Sequence, residues 1–107
     1  MSEWIKVLDE TTIPVGLGGC IKHNEQQIAL FHYSPGEWYA LENRCPHTKK
    51  MVISRGLTGD SKGEAKIACP MHKNQFSLAT GRAFNPDLKD LKTFPVKLES
   101  GSIYLQV

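Results

Sequence analysis

QQIALFHYSPGEWYALEN, residues 26–43, sets the architecture. Two runs rich in aromatic and aliphatic residues, QQIALFHY and EWYALEN, flank Ser34-Pro35-Gly36, a triplet in which proline presets φ and glycine accepts the left-handed conformation. Short strands joined by a hairpin are the expected result. Upstream, CIKHN leads into the first run through the turn-prone pair Asn24-Glu25, and EWIKVL near the N-terminus alternates with the period of two that a half-buried strand requires. Downstream, EAKIACP reads as a strand and HKNQFSLATGRAF as a hairpin turning at Gly81. FPVKLESGSIYLQV reads as a closing hairpin with Ser100-Gly101 at its tip. SRGLTGDSKGE, residues 54–64, is rich in Gly, Ser and Asp and is expected to be a long loop. No window carries a helical repeat. The expected fold is all-β, a small antiparallel sandwich or barrel.

The chain has 107 residues without a composition break, so one domain over 1–107 is expected. Its 40% hydrophobic and 22% charged content is that of an ordinary soluble protein. No stretch approaches the ~20 apolar residues of a membrane span, and MSEWIKVLDE lacks the apolar centre of a signal peptide, so a cytoplasmic, membrane-free protein is expected. Three cysteines in such a chain favour metal ligation over a disulfide framework. Six of the 13 basic residues fall in two segments, 44–55 and 69–82, which contain none of the 11 acidic residues. A long basic run or recognition helix is missing, so nucleic acid is not an expected partner.

The two basic segments also hold the chain's chemistry. CPHTKK, residues 45–50, places a cysteine and a histidine on either side of a proline, and after 21 residues beyond His47 a second pair arrives in CPMH, residues 69–72. Cys45, His47, Cys69 and His72 supply two thiolates and two imidazoles, the donor set of a structural zinc site. In the common zinc finger, however, the cysteines form one pair and the histidines the other. Here each loop contributes one of each, which suits a binuclear centre spanned by both loops. The proline after each cysteine fixes φ and removes an amide, stiffening the turn.

At these residues the chain resembles the Rieske iron–sulfur proteins, whose pattern is Cys-x-His, an intervening hairpin, then Cys-x-x-His. The resemblance implies a Rieske-type antiparallel β-sandwich or barrel with a cluster-binding subdomain of two hairpin loops. It also implies a [2Fe–2S] cluster with Cys45 and Cys69 on one iron and His47 and His72 on the other. SRGLTGDSKGEAKIACPMHKNQFSLATGR is further similar to the small-subunit family of assimilatory NAD(P)H-dependent nitrite reductases, a likeness running from WIKVL to the final hairpin. That family implies a large-subunit partner carrying flavin, an iron–sulfur cluster and sirohaem, which reduces nitrite to ammonium in nitrate assimilation. The competing readings are a free Rieske ferredoxin serving an aromatic-ring dioxygenase, and a zinc-stabilised interaction module without a redox role.

Neutral imidazoles leave an oxidised cluster with two thiolates formally uncharged, whereas an all-cysteine cluster carries two more negative charges. Histidine ligation therefore raises the potential into a range of ~−150 to +300 mV. The high-potential branch of the family places a serine two residues, and a tyrosine four residues, after the last histidine, and both donate to cluster sulfurs. This chain has Asn74 and Phe76 there. That branch also bridges its loops with an extra cysteine in each. Here Met71 stands in one such place and Lys49 and Lys50 cover the other, so a low potential is expected.

The chain shows no nucleophile with a base, no phosphate-cradling glycine loop and no dinucleotide fingerprint, so no residue is expected to be catalytic in its own right. Cys20 is expected to be an ordinary strand thiol, His23 and His32 solvent-facing or hydrogen-bonded strand residues, and Trp4 and Trp38 core or edge packing. Lys49, Lys50, Arg55 and Lys73 surround the ligand pairs and are expected to meet an acidic rim on a redox partner.

Overall fold

The computed structural model describes residues 4–46, 49–70, 74–85 and 87–106. Ten strands run in chain order: β1 Trp4–Asp9, β2 Gly18–His23, β3 Gln26–Ser34, β4 Glu37–Glu42, β5 Leu57–Ser61, β6 Glu64–Ala68, β7 Gln75–Ser77, β8 Thr93–Phe94, β9 Val96–Glu99 and β10 Ser102–Gln106. A single 3₁₀ turn, Ile53–Arg55, interrupts them, and the described residues contain no α-helix. All pairing is antiparallel, in three sheets ordered β1-β10-β9, β2-β3-β4-β8 and β5-β6-β7.

The four-stranded sheet is the middle layer, and its strands show why. Successive strand residues point to opposite faces. On β3 and β4, Ile28, Leu30, Trp38 and Ala40 enter one core with Ile103 and Leu105 of β10, while Ala29, Phe31 and Leu41 enter a second core with Ile67 of β6 and Phe76 of β7. Both faces of the 26–43 hairpin are therefore apolar and covered. His32 fits this burial by donating through Nδ1–H to Ile13 O (2.7 Å) and stacking on Trp38 at 4.0 Å between ring centroids.

The turns follow their residues. Asn24 and Glu25 have φ of 48° and 67°, the paired left-handed geometry that matches the twist of a two-residue hairpin. Ser100 and Gly101, at 52° and 77°, repeat it between β9 and β10. Residues 54–64 correct the expected long loop: Leu57–Ser61 forms β5, paired with β6 from Leu57↔Ala68 to Ser61↔Glu64 and turning at Lys62-Gly63, with φ of 52° and 83°. The Gly81 turn holds, with φ +77°, but its second arm is reduced to the single bridge Phe76↔Ala83.

Candidate metal centre

Cys45 lies just beyond β4, and Cys69 just beyond β6. The two loops that begin there close in the same way. The Cys45 amide donates to Lys50 O at 2.9 Å, and the Cys69 amide donates to Asn74 O at 2.7 Å, so each cysteine is bonded to the carbonyl five residues on. The first loop is tightened further by the Lys49 amide on Cys45 O (2.7 Å), with Lys49 at φ +60°, and by the bridge Arg44↔Met51. The second is flanked by the Ala68↔Gln75 pair of the β6–β7 hairpin. Both cysteines are 0% exposed and belong to one packed group with Ile53, Ile67, Phe76 and Leu78.

Two features outside the ligand pattern fix the first loop: one closes its ends onto the central sheet, and the other sets it against the strand entering the second loop. Asn43, 1% exposed, receives the Ser54 amide on Oδ1 at 2.7 Å and donates through Nδ2 to Gln27 Oε1 at 3.1 Å and Cys20 Sγ at 3.5 Å. Its main chain continues the lock, with its N–H on Gln27 O (3.1 Å) and its carbonyl receiving the Ile53 amide (3.1 Å). Gly56 follows the 3₁₀ turn, and a Cβ there would lie 2.2 Å from Ala68 O, the residue before Cys69. The segment leaving the first loop thus rests directly on the strand entering the second. Neither contact was anticipated: a buried asparagine and one glycine among several in a polar stretch carry no distinguishing signal in a single sequence.

His47, His72 and Lys73 lie outside the described residues, as does Met71. Lys49, Lys50 and Arg55 are all exposed. Met51 and Leu57, 45% and 80% exposed, add apolar surface beside the first loop and the Gly56 contact. A cleft of about 540 Å³ beside the first loop is lined by Arg44, Pro46 and Lys49 together with Glu42, Asp87, Lys89 and Asp90. The uniformly basic surroundings read from the two segments are therefore broken on this flank by acidic residues that are remote in sequence. Arg82 pairs with Glu64 (3.5 Å) and lies over the Phe84 ring at 5.3 Å.

The other candidates are local. Cys20 is exposed on β2, and His23 meets Asn24 Nδ2 at 3.2 Å. Trp38 is buried and Trp4 40% exposed. At the far end of the central hairpin, Glu37 accepts from the Tyr39 hydroxyl and from Ser34 Oγ (2.7 Å). The Tyr39 bond, then the Ser34 bond, hold the Glu37 carboxyl below its ordinary value, and the Glu37 acceptor pushes Tyr39 up to about 12.

A sulfur-ligated cluster needs converging thiols, shelter from water and N–H donors near the sulfurs. Cys45 and Cys69 belong to one packed group and are sheltered from water. Among the described residues, Asn74 Nδ2 is buried without a hydrogen-bond partner, on the residue whose carbonyl fixes the Cys69 amide. A buried donor left unmade costs about 1–3 kcal/mol, so an acceptor in this loop is called for, and sulfur provides one. The residues present fit the group.

The sequence pattern of the Rieske-like [2Fe-2S] domain matches residues 3–106. The chain is 34% identical over 102 residues to the nitrite reductase [NAD(P)H] large subunit of Klebsiella oxytoca, covering 95% of this chain but 11% of that protein. Against the nitrite reductase [NAD(P)H] of Emericella nidulans it likewise spans 8% of the relative's length. It is 35% identical over 105 residues to the ferredoxin component of the naphthalene 1,2-dioxygenase/salicylate 5-hydroxylase systems of Ralstonia sp, covering 97% of this chain and 95% of that one. The nitrite reductase (NADH) small subunit of Escherichia coli K12 is 28% identical over 107 residues, covering 99% of both. The NMR structure of the E. coli protein NirD superposes with a TM-score of 0.89 at 27% identity, covering 100% of this chain and 98% of that one. With nearly its whole length inside that pattern, and two buried cysteines opening matched loops, this chain belongs to the Rieske-like [2Fe–2S] domain family and takes a Rieske-type [2Fe–2S] cluster as its cofactor.

Proposed function

We propose that this chain is the electron-transfer small subunit of an NAD(P)H-dependent nitrite reductase, working in the cytoplasm beside a large subunit that carries flavin, an iron–sulfur cluster and sirohaem. Cys45 and Cys69 hold one iron of the cluster, and His47 and His72 hold the other. The observation that carries the reading is the pair of matched loops with both cysteines in one dry core, together with small-subunit relatives that match this chain end to end. When bound, the cluster supplies a one-electron couple whose potential histidine ligation raises above that of all-cysteine clusters. The protein's own residues do the rest. Asn43 locks the ends of the first loop to the central sheet, Gly56 sets that loop against the strand entering the second, and the packed group around Ile53, Ile67 and Phe76 keeps water from the sulfurs. Lys49, Lys50, Arg55 and Lys73 steer an acidic partner toward this end, raising the encounter rate more than the final affinity. Exposed Met51 and Leu57 give that partner apolar surface to cover.

A second reading, a free ferredoxin delivering electrons to an aromatic-ring dioxygenase, is favoured by the 35% identity to the Ralstonia component, higher than the 28% to the small subunit. Protein purified without air is expected to be red-brown with equal iron and acid-labile sulfide; colourless protein with stoichiometric zinc overturns the ligand assignment. Reduction of this chain by, and its co-purification with, the reductase large subunit supports the first function. Reduction only by a ferredoxin reductase, with onward transfer to a ring-hydroxylating oxygenase, supports the second. Charge steering weakens as the Debye length falls from ~10 Å at 0.1 M salt to ~3 Å at 1 M. Changing Lys49, Lys50 and Lys73 to glutamate is therefore expected to slow transfer in stopped flow at low salt while leaving the cluster spectrum intact. Equal rates at low salt would put docking on another face.

A further inference from the structure

Asn74 carries the strongest unexplained feature near the ligand loops. Its carbonyl is committed to the Cys69 amide at 2.7 Å, which anchors it at the mouth of the second loop. Its Nδ2 is buried and has no partner among the described residues. The packed group nearby, Ile67, Phe76 and Cys69, offers no oxygen acceptor from its side chains. Among the described neighbours, Gln75 Oε1 is occupied by Lys66 Nζ at 2.9 Å. An amide N–H in such a place requires an acceptor, and the acceptors that the cofactor brings to this loop are sulfurs.

We infer that the Asn74 side-chain amide donates a hydrogen bond to a sulfur of the cluster, on the inorganic sulfide or on Cys69, and that this bond favours the reduced state. The inference rests on the ligand assignment proposed above. At this position the side chain differs from serine but carries a buried N–H, whereas Phe76 carries none. Reduction adds negative charge to the sulfurs, which strengthens an N–H···S bond and so raises the potential relative to a variant without it.

The test uses the holoprotein with its full chain. Asn74→Leu keeps similar bulk and removes the donor; its reduction equilibrium is expected to weaken about tenfold, equivalent to about 59 mV for one electron. Asn74→Ser, which restores one donor, is expected to fall less. Independently, wild-type protein labelled with ¹⁵N only in asparagine side chains is expected to show a weak ¹⁵N coupling to the reduced cluster in pulsed electron paramagnetic resonance. Asn43, the other asparagine close to a ligand loop, is already committed to Gln27 and Cys20. A wild-type Rieske signal without any ¹⁵N coupling, or an Asn74→Leu cluster of unchanged potential, overturns the inference while leaving the ligand assignment standing. Absence of a Rieske signal from iron-replete wild type instead sinks the ligand assignment. If Asn74→Leu fails to assemble, the labelled wild type still decides.

Discussion

Gly56→Ala is expected to damage the metal end of the molecule from a position that is not a ligand. The glycine has φ −74°, which any residue adopts, so its role is one of space rather than backbone freedom. The added Cβ would stand 2.2 Å from Ala68 O and 3.0 Å from Ile67 Cδ1. Reaching an acceptable 3.0 Å from the carbonyl demands a displacement of about 0.8 Å between two main-chain segments. Overpacking of this kind typically costs about 1–3 kcal/mol. For a domain of this size each kcal/mol lowers Tm by about 4–8 °C, so a fall of at least about 4 °C is expected. Because Ala68 precedes Cys69, part of the displacement passes into the second loop, and cluster retention should fall as well. Gly59→Ala is the control: it lies three residues on, within β5, and its Cβ would meet only Lys66 Cε at 3.6 Å, an ordinary contact. Thermal melts of anaerobic protein, followed both by far-UV circular dichroism and by visible cluster absorption, compare the two. If Gly56→Ala melts with Gly59→Ala and holds as much iron, the close approach does not tie the loops together.

Three further outcomes are expected. Asn43→Leu strands the Ser54 amide and Gln27 Oε1, costing about 1–3 kcal/mol and lowering the denaturant midpoint; an unchanged midpoint would mean that water replaces the asparagine. One of the three tyrosines should titrate near 12 in ultraviolet difference spectra, and Glu37→Gln should return it toward the ordinary value of about 10. The stability linked to that pair is present above the unfolded Glu value of about 4.3 and is lost as acid protonates Glu37 below it; at the alkaline end it is lost as pH rises through the raised Tyr39 value of about 12. A chemical-denaturation pH series on Tyr39→Phe should therefore converge with wild type in acid and in strong alkali, and equal curves throughout would show that the bond contributes nothing.

The middle layer was legible because β3 and β4 bury both faces, so their residues announce themselves as continuous apolar runs bounded by turn formers. β5 was not, for the converse physical reason: it is an edge strand whose first residue, Leu57, is 80% exposed, and LTGDS has no buried face to impose a period. β8 is two residues long and offers nothing to read. The ligand pairs stood out because metal chemistry restricts both residue type and spacing. Asn43 and Gly56 did not, because their roles are contacts across 11 to 23 residues for one and a main-chain approach for the other. The charge pattern was half legible: Lys49 and Lys50 are exposed as expected, yet Asp87 and Asp90 line the same cleft as Lys49 from a segment remote in sequence.

Cys45 and Cys69, both at 0% exposure, stand in a bed made of Ile53, Ile67, Phe76 and Leu78. Packed interiors are nearly incompressible, and apolar walls hold no dipoles that swing to meet a new charge. When an electron arrives at sulfurs seated this way, little of the protein has to rearrange around it. The reorganisation energy contributed by this half of the site is accordingly small, and the rate is left to separation and driving force.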